Sequence, residues 1–400
     1  MDLSFTAADD AFREEVRAFV HANLPREIAD DSRRWVNPRV PHWRRWQKIL
    51  ADKGWGAPHW PAKWGGTDWP ALRKHIFFEE LYRADAPDFG WQGTHMMAPV
   101  LFAFGTEEQC RRFAPKMLTG EEFWCQGFSE PGAGSDLASL KTTAERVDDE
   151  WVINGQKTWT SDAAHAEWGF FLVRTDATVK PQRGLSFLVA RMDTPGITVR
   201  PIHQIDGRCE LNEVFLDNVR VAGDQLIGEP GKGWTYAKYL LEKERTASAF
   251  LYFNRRRFEM AKDIARRQVV NGKPLLQDPG FARKLARVEA DLDALYWSVL
   301  RILAEEPNKY EPNAVVSALK IRGSEMQQRV TALQIDALAH LGARHFERDA
   351  PHTEDAEMRQ GWDELAVGPM SLFLFERAST IYGGAREVQK NIIAKLAFGF

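Results

Sequence analysis

Two stretches of the chain carry residue types from which a site for a flat, polar ligand can be built. The first is Gln126-Gly127-Phe128-Ser129-Glu130-Pro131-Gly132-Ala133-Gly134-Ser135-Asp136, at the end of an apolar run, Phe123 to Phe128, that reads as a buried strand. Proline, glycine and small hydroxyl residues there leave backbone N–H groups open and let a ligand approach closely. The second is Gln156-Lys157-Thr158-Trp159-Thr160-Ser161. An indole flanked by hydroxyls at a strand end suits a flat heterocycle, because the indole stacks and the hydroxyls reach ring heteroatoms. The ordinary alternative is a glycine-rich β-turn beside a core tryptophan. A dinucleotide fingerprint is excluded because no helical period follows Gly134, and a P-loop because no Gly-Lys-Ser/Thr closes the run.

The elements that must position these residues follow from the periodicity. Phe12, Val16, Phe19 and Val20 share one helix face; Trp43, Trp46, Ile49 and Leu50 repeat the spacing, and Leu72, Ile76, Phe77 and Leu81 mark another helix near Pro70. Thr106 with Glu107-Glu108-Gln109 predicts a capped helix start. Between Gly54 and Pro70 the Trp-, Pro- and Gly-rich sequence reads as a packed surface loop. From Phe123 the period becomes two. Strands are expected at Thr142–Arg146 and Trp151–Ile153, with a turn at Asn154-Gly155, then at Trp168–Arg174, Leu185–Ala190, Ile197–Ile202, Leu211–Leu216 and Val219–Val221. After Gly231-Lys232-Gly233 long helical segments are expected over 232–270, 279–305 and 313–341, with turns at Asn271-Gly272 and Pro307-Asn308. A polar crossover over 342–368 precedes helices at 369–380 and 385–398. The fold class is therefore α+β: an α-helical domain over 1–122, a small β-barrel or sandwich domain over 123–230, and an α-helical bundle over 231–400.

Composition narrows the function classes. Four hundred residues, 44% of them hydrophobic, can bury a large core, and a formal charge of −3 gives no general attraction to nucleic acid or anionic membrane. Cys110, Cys125 and Cys209 lie far apart without metal or redox spacing, which suits a reducing cytoplasm, and Cys125 reads as a packed thiol. The acidic start, Met1 to Asp10, lacks a signal-peptide apolar block, and no stretch has the apolar length of a membrane span. Fifteen tryptophans, many within the first hundred residues, suggest broad helix contacts or a binding face. The histidines show no metal-ligand spacing, so no metal is expected.

The two signatures, Phe128 to Asp136 and Asn154-Gly155-Gln156-Lys157-Thr158-Trp159, resemble those of the acyl-CoA dehydrogenase family, and the similarity runs to Ile381-Tyr382-Gly383-Gly384. Members take an α-proton and a β-hydride from an acyl-CoA thioester, the hydride going to flavin N5. Such a site needs a carboxylate base in a dry pocket and donors on the carbonyl where charge develops, while the cofactor carries the redox step. The resemblance implies an FAD set of Gln126, Phe128, Ser129, Gly134, Ser135, Trp159, Thr160 and Ser161. Phe128 and Ser129 would meet the pyrimidine side, Trp159 would stack on the isoalloxazine, Thr160 would lie near O4 and Ser161 would hold N5. Ser135 would lie near the cofactor or the thioester arm.

The base requires a choice between two branches of the family. Many members carry it just after Ile-Tyr in the last loop, where this chain has Gly383, which cannot serve. Another branch carries it before an arginine on the first long helix of the C-terminal domain, and Leu241-Glu242-Lys243-Glu244-Arg245 puts Glu244 in that slot. The catalytic pair implied is Glu244 as base and Gly383, whose N–H is left to donate to the thioester oxygen. Tyr382, Gly383, Ser135, Glu242 and Arg245 form the substrate set, although ordinary surface pairing is an equal alternative for Glu242 and Arg245.

Other features separate this chain from homotetrameric members. Their Arg-x-Gln-Phe-Gly and Gln-x-x-Gly-Gly motifs for a neighbour's FAD are replaced by Arg266-Arg267-Gln268-Val269-Val270-Asn271-Gly272 and Leu338-Ala339-His340-Leu341-Gly342, and Ala385 stands where a hydroxyl is common. The ending resembles a bacterial branch with heterotetrameric steroid-side-chain and pimeloyl-CoA-type enzymes. This implies either a homo-oligomer or a base-bearing subunit paired with a related dehydrogenase chain, with electron-transfer flavoprotein as electron acceptor. The clusters Arg255-Arg256-Arg257 and Arg266-Arg267 read as solvated faces, or as holding one phosphate grip across an interface. Carboxylated, steroidal and plain fatty acyl groups all remain open, the pocket depending on packing near Gln92–Met96 and Tyr236–Phe250. A flavin oxidase or monooxygenase on the same fold, and a non-catalytic subunit that completes a partner's FAD site, are the alternatives.

Overall fold

The computed structural model describes residues 5–35, 37–88, 90–243, 249–305, 314–343 and 364–400. Glu244, Arg245, the Pro307-Asn308 turn and most of the 342–368 crossover lie outside the described residues.

Helices α1 (Ala7–Asn23), α2 (Arg26–Arg34), α3 (Val40–Asp52), α4 (Ala71–Arg83), α5 (Ala98–Phe104) and α6 (Glu107–Thr119) build the first layer. Thr6 and Thr106 each form a full capping box, with Asp9 and Gln109, satisfying N–H groups that the first turn leaves open. Gly120, at φ 77°, ends α6 in the left-handed conformation that glycine adopts without steric cost. The early tryptophans serve helix contacts: Trp43, Trp46, Trp55 and Trp60 are buried, and Trp55 meets Phe12, Phe19, Trp69 and Phe77 edge-on.

Strands β1 (Trp124–Gly127), β2 (Thr143–Val147), β3 (Glu150–Ser161), β4 (Trp168–Arg174), β5 (Leu185–Arg191), β6 (Ile197–Pro201) and β7 (Leu211–Ala222) form one curled sheet. One leaf is β1-β4-β5 and the other β2-β3-β7-β6, joined where Thr143 pairs with Arg174. Phe171, Val173, Leu188 and Ala190 of the first leaf pack on Trp151, Ile153, Val214 and Val219 of the second. The opposite face of the first leaf, with Phe170, Leu172 and Phe187, joins the helical core. Buried on both faces, β4 is apolar throughout (Trp-Gly-Phe-Phe-Leu-Val) before Arg174.

Two expectations fail in this sheet. Asn154-Gly155 is not a turn; it continues β3 opposite a bulge that the register places on β7, between Leu216 and Val219, and the β2–β3 reversal falls at Asp148-Asp149 instead. A Cβ on Gly155 would come within 2.4 Å of the Thr142 hydroxyl, so close backbone approach explains the glycine. Likewise Leu211–Leu216 and Val219–Val221 are one strand, interrupted only by Asn218 at φ 50°, whose N–H donates to Asn154 Oδ1 at 2.8 Å.

The C-terminal layer holds α7 (Gly233–Lys243), α8 (Leu251–Arg267), a small hairpin of β8 (Val269–Val270) and β9 (Lys273–Pro274), α9 (Pro279–Glu305), α10 (Ala314–Leu338), α11 (Pro369–Phe375) and α12 (Arg386–Phe398). Segment 232–270 is thus not one helix: α8 starts afresh from Phe250 at φ 49°. The Arg255–Arg257 cluster is also not a solvated face. Arg257 is fully buried and Arg256 nearly so; they lie over Phe253 and Tyr82, and Arg257 donates to the carbonyls of Arg33 and Trp35. A weakly hydrated, planar guanidinium tolerates such burial where carbonyls and ring faces receive it. No helix among the described residues is long and apolar enough to cross a membrane.

Candidate active site

The Gly-rich loop and the end of β3 are brought together by a buried ion pair. Lys157 is fully buried, and its Nζ donates to Glu130 Oε1 at 2.8 Å, to the Leu172 carbonyl at 2.7 Å and to the Phe128 carbonyl at 3.2 Å. Glu130 in turn accepts from the N–H groups of Lys141 and Thr142 at 2.6 and 2.9 Å. Burial pushes the Lys157 amine down to about 8 against the pull of Glu130. It also works against the Glu130 carboxylate, yet the Lys157 charge and the hydrogen bonds hold that group below its ordinary value. Both are charged at neutral pH. The Thr158 N–H adds a bond to the Ser129 carbonyl at 2.9 Å, fixing one signature against the other. Nothing in the sequence alone marks Glu130 and Lys157 as partners, twenty-seven residues apart.

On that base Trp159 is turned outward. A second bulge, between Lys157 and Thr160, puts Trp159 at φ 58° with 59% of its surface exposed. A bulky residue in the left-handed region inside a strand is costly, and such strain persists where the surroundings impose it. Ser129 and Ser161 are half-buried and Gly134 and Ser135 exposed; a Cβ on Gly132 or Gly134 would meet nothing within 4 Å. Gln126 is half-buried and Phe128 packs edge-on to Phe170 and Phe187. Thr160 is fully buried, its Oγ1 unpaired among the described residues, and so sits beneath the exposed surface. An exposed indole, two half-buried hydroxyls and open space before the glycines fit a flat cofactor with polar ring edges.

The Tyr382–Gly383 loop lies against α10. Lys320, buried, donates through Nζ to the carbonyls of Ser379 and Tyr382, both at 2.8 Å. Gly383 has φ 64°, and a Cβ there would find only Lys320 Cε at 3.8 Å, so the backbone conformation rather than space favours glycine. The ring of Tyr382 lies near Phe375 and Phe250, at 5.9 and 6.4 Å. Glu242 belongs to the last turn of α7, whose Ala237 and Leu240 are buried, and Ala249, also buried, is packed on α10. A Cβ on Gly323 would come within 2.2 Å of the Ala249 carbonyl. Phe250, six residues after Glu244 in sequence, meets the Tyr382 ring.

The two halves are linked by the loop before β7. The Asp162 N–H, just past Ser161, donates to the Glu210 carbonyl at 2.7 Å. Arg208 pairs with Glu210 at 2.8 Å and with Asp206, and lies 4.6 Å over the Phe375 ring. Contacts thus run from the end of β3 to Phe375 and Tyr382. Of the arginines considered for a phosphate, Arg266 pairs with Asp263 at 2.6 Å and Arg255 with Asp293 at 2.9 Å. Gln92–Met96, expected beside the acyl group, lies in a π-helical turn, Trp91–Met97, of a kind frequent at functional sites. There His95 stacks between Trp91 and His59, at 4.5 and 4.0 Å, and burial keeps both imidazoles neutral, with His95 pushed down to about 3.

Comparison with known proteins gives the same architecture. Residues 6–121, 125–219 and 231–398 match the acyl-CoA dehydrogenase N-terminal, middle and C-terminal domains. The chain is 37% identical to acyl-CoA dehydrogenase IpdE1 of Mycobacterium tuberculosis over 398 residues, covering 98% of this chain and 97% of that protein. Among solved structures it resembles the Tcur3481-Tcur3483 steroid ACAD (TM-score 0.84, 30% identity, 100% of this chain and 99% of the other). It also resembles a chain of the ChsE4-ChsE5 complex from Mycobacterium tuberculosis (TM-score 0.82, 28% identity, 100% and 99%). The chain belongs to the acyl-CoA dehydrogenase family of flavoprotein oxidoreductases.

Proposed function

We propose that the chain catalyses α,β-dehydrogenation of an acyl-CoA thioester to the trans-2-enoyl-CoA, with FAD as cofactor and electron-transfer flavoprotein as acceptor. The observation that carries this reading is Trp159, a strained and exposed indole at the strand end beside Ser161, against the locked Ser129 loop. FAD held by Ser129, Ser135, Trp159 and Ser161, with Gln126, Phe128, Gly134 and Thr160 around them, would accept the β-hydrogen as hydride. Glu244 takes the α-proton; its place immediately before Arg245, in the position where a branch of the family carries its base, supports that role. The Gly383 N–H donates to the thioester oxygen as negative charge develops there. Tyr382, Ser135, Glu242 and Arg245 hold the thioester and the CoA arm. Likeness over the whole chain to a steroid ACAD supports a ring-bearing acyl group, and likeness to a chain of the ChsE4-ChsE5 complex supports a related partner subunit.

Trp159→Gly tests the reading. Removing a side chain from a left-handed position relieves about 1 kcal/mol of strain, so the flavin-free protein melts at the same or a higher temperature. Its flavin affinity falls, by up to about tenfold for the lost stacking. A variant that retains flavin like the parent chain contradicts the proposal.

A further inference from the structure

Behind the Tyr382–Gly383 loop lies an acid to which the reading above gives no role. Glu376 follows α11 directly and is fully buried. Its Oε2 accepts from the Tyr382 hydroxyl at 3.2 Å, while Oε1 has no hydrogen-bond partner among the described residues. The charged groups around it are engaged elsewhere. Arg257 of α8 donates to the carbonyls of Arg33 and Trp35, and Arg208 pairs with Asp206 and Glu210. Arg377 donates to the Phe373 and Gln328 carbonyls, and Lys320 of α10 to those of Ser379 and Tyr382. Burial raises the Glu376 carboxyl to about 7, against the Tyr382 hydrogen bond and the charges of Arg257, Arg208 and Arg377.

The geometry links this acid to the donor. The Gly383 N–H and the Tyr382 carbonyl belong to one planar trans peptide, so a carbonyl held by Lys320 makes the N–H point away from Lys320. Rotation of that peptide is resisted at its other attachment by the Tyr382 ring, whose hydroxyl rests on Glu376. We propose that Glu376 is a positioning residue for the Gly383 donor, acting through its hydrogen bond to the Tyr382 hydroxyl. The proposal rests on the reading of Gly383 as the thioester's donor. An ionised Glu376 makes the stronger, charge-assisted bond to Tyr382. Alignment of the donor therefore improves as the carboxyl loses its proton.

Steady-state turnover and anaerobic flavin reduction by acyl-CoA test this in the flavin-loaded protein, complexed with its partner subunit where one is needed. Glu376→Gln, Glu376→Ala and Tyr382→Phe are compared with the parent chain across pH. Glu376→Ala and Tyr382→Phe are expected to lower kcat by about 10²-fold, the scale of a small misplacement, with flavin content little changed, KM little changed in Glu376→Ala and changed far less than kcat in Tyr382→Phe. Glu376→Gln recovers much of the lost rate near pH 6 but lacks the parent's rise in kcat around pH 7. If Glu376→Ala does not fold, the Gln and Phe variants carry the test. An active parent chain whose Gln variant keeps the same pH profile, or whose Phe variant keeps the parent kcat, overturns the positioning role alone. A flavin-loaded parent that no acyl-CoA reduces overturns the underlying reading, and the positioning role with it.

Discussion

At the scale of single residues, the proposed chemistry rests on Glu244 and the stability of the site on the Glu130–Lys157 pair. With Glu244 as base, Glu244→Gln should keep its flavin while the rate of flavin reduction by acyl-CoA falls by about 10²–10⁴-fold, the usual contribution of a placed base. Stopped-flow reduction under anaerobic conditions measures it, and an unchanged rate would remove Glu244 from the mechanism. Lys157→Met should cost about 3–5 kcal/mol, because it strands a buried carboxylate. It would appear as a lowered thermal midpoint, with part of the loss recovered in Glu130→Leu/Lys157→Met; an unchanged midpoint would refute the ion pair's role. Ser129, Trp159 and Gly383 stood out in the sequence because they fall in stretches that resemble the motifs of a known family. Lys157 was not, although it shares inward parity with Trp151 and Ile153 along β3. A lysine on an apolar face reads as a mismatch until its partner, Glu130, twenty-seven residues earlier, is brought beside it.

At the scale of elements, local signals succeeded where one segment decides its own conformation. The Thr106 capping box and the Asn271-Gly272 turn, with both residues at positive φ, needed no tertiary information. Asn154-Gly155 has the composition of a turn, but β2 on one side and β7 on the other hold it within a ladder, and the irregularity falls on β7 opposite it. Arg256 and Arg257 looked solvated because nothing local says that α8 runs between α2 and α10, where Gln334 Nε2 donates to the Arg257 carbonyl at 2.8 Å. The same close packing yields a prediction. A side chain on Gly323 would press on the Ala249 carbonyl, 2.2 Å from its first carbon. Gly323→Val should therefore destabilise the fold by about 1–3 kcal/mol and depress turnover beyond what residual folding explains, because Ala249 ends the segment that bears Glu244. Melting and specific activity together check it, and a fully active, destabilised variant would separate Gly323 from the site.

At the scale of the whole molecule, two surfaces need explanation. Trp159 is exposed on the β layer, and on α12 no residue is buried, its last residue Phe398 being 69% exposed and Phe400 beyond it 90%. Covering of the first by a flavin and of the second by another subunit would account for both. The order of layers was readable from the change in hydrophobic period. Contact between the β layer and the Tyr382 loop was not, because it depends on Arg208 reaching Phe375 across more than 160 residues of chain. The measurement to make first is anaerobic titration of the purified chain, alone and co-expressed with a related dehydrogenase subunit, using carboxylated, steroidal and fatty acyl-CoAs. Glu244 as base and a flavin on Trp159 predict that the visible flavin band bleaches with one acyl class, the steroidal one, and that Glu244→Gln does not bleach. A flavin-loaded protein that no acyl-CoA bleaches in either preparation would contradict it.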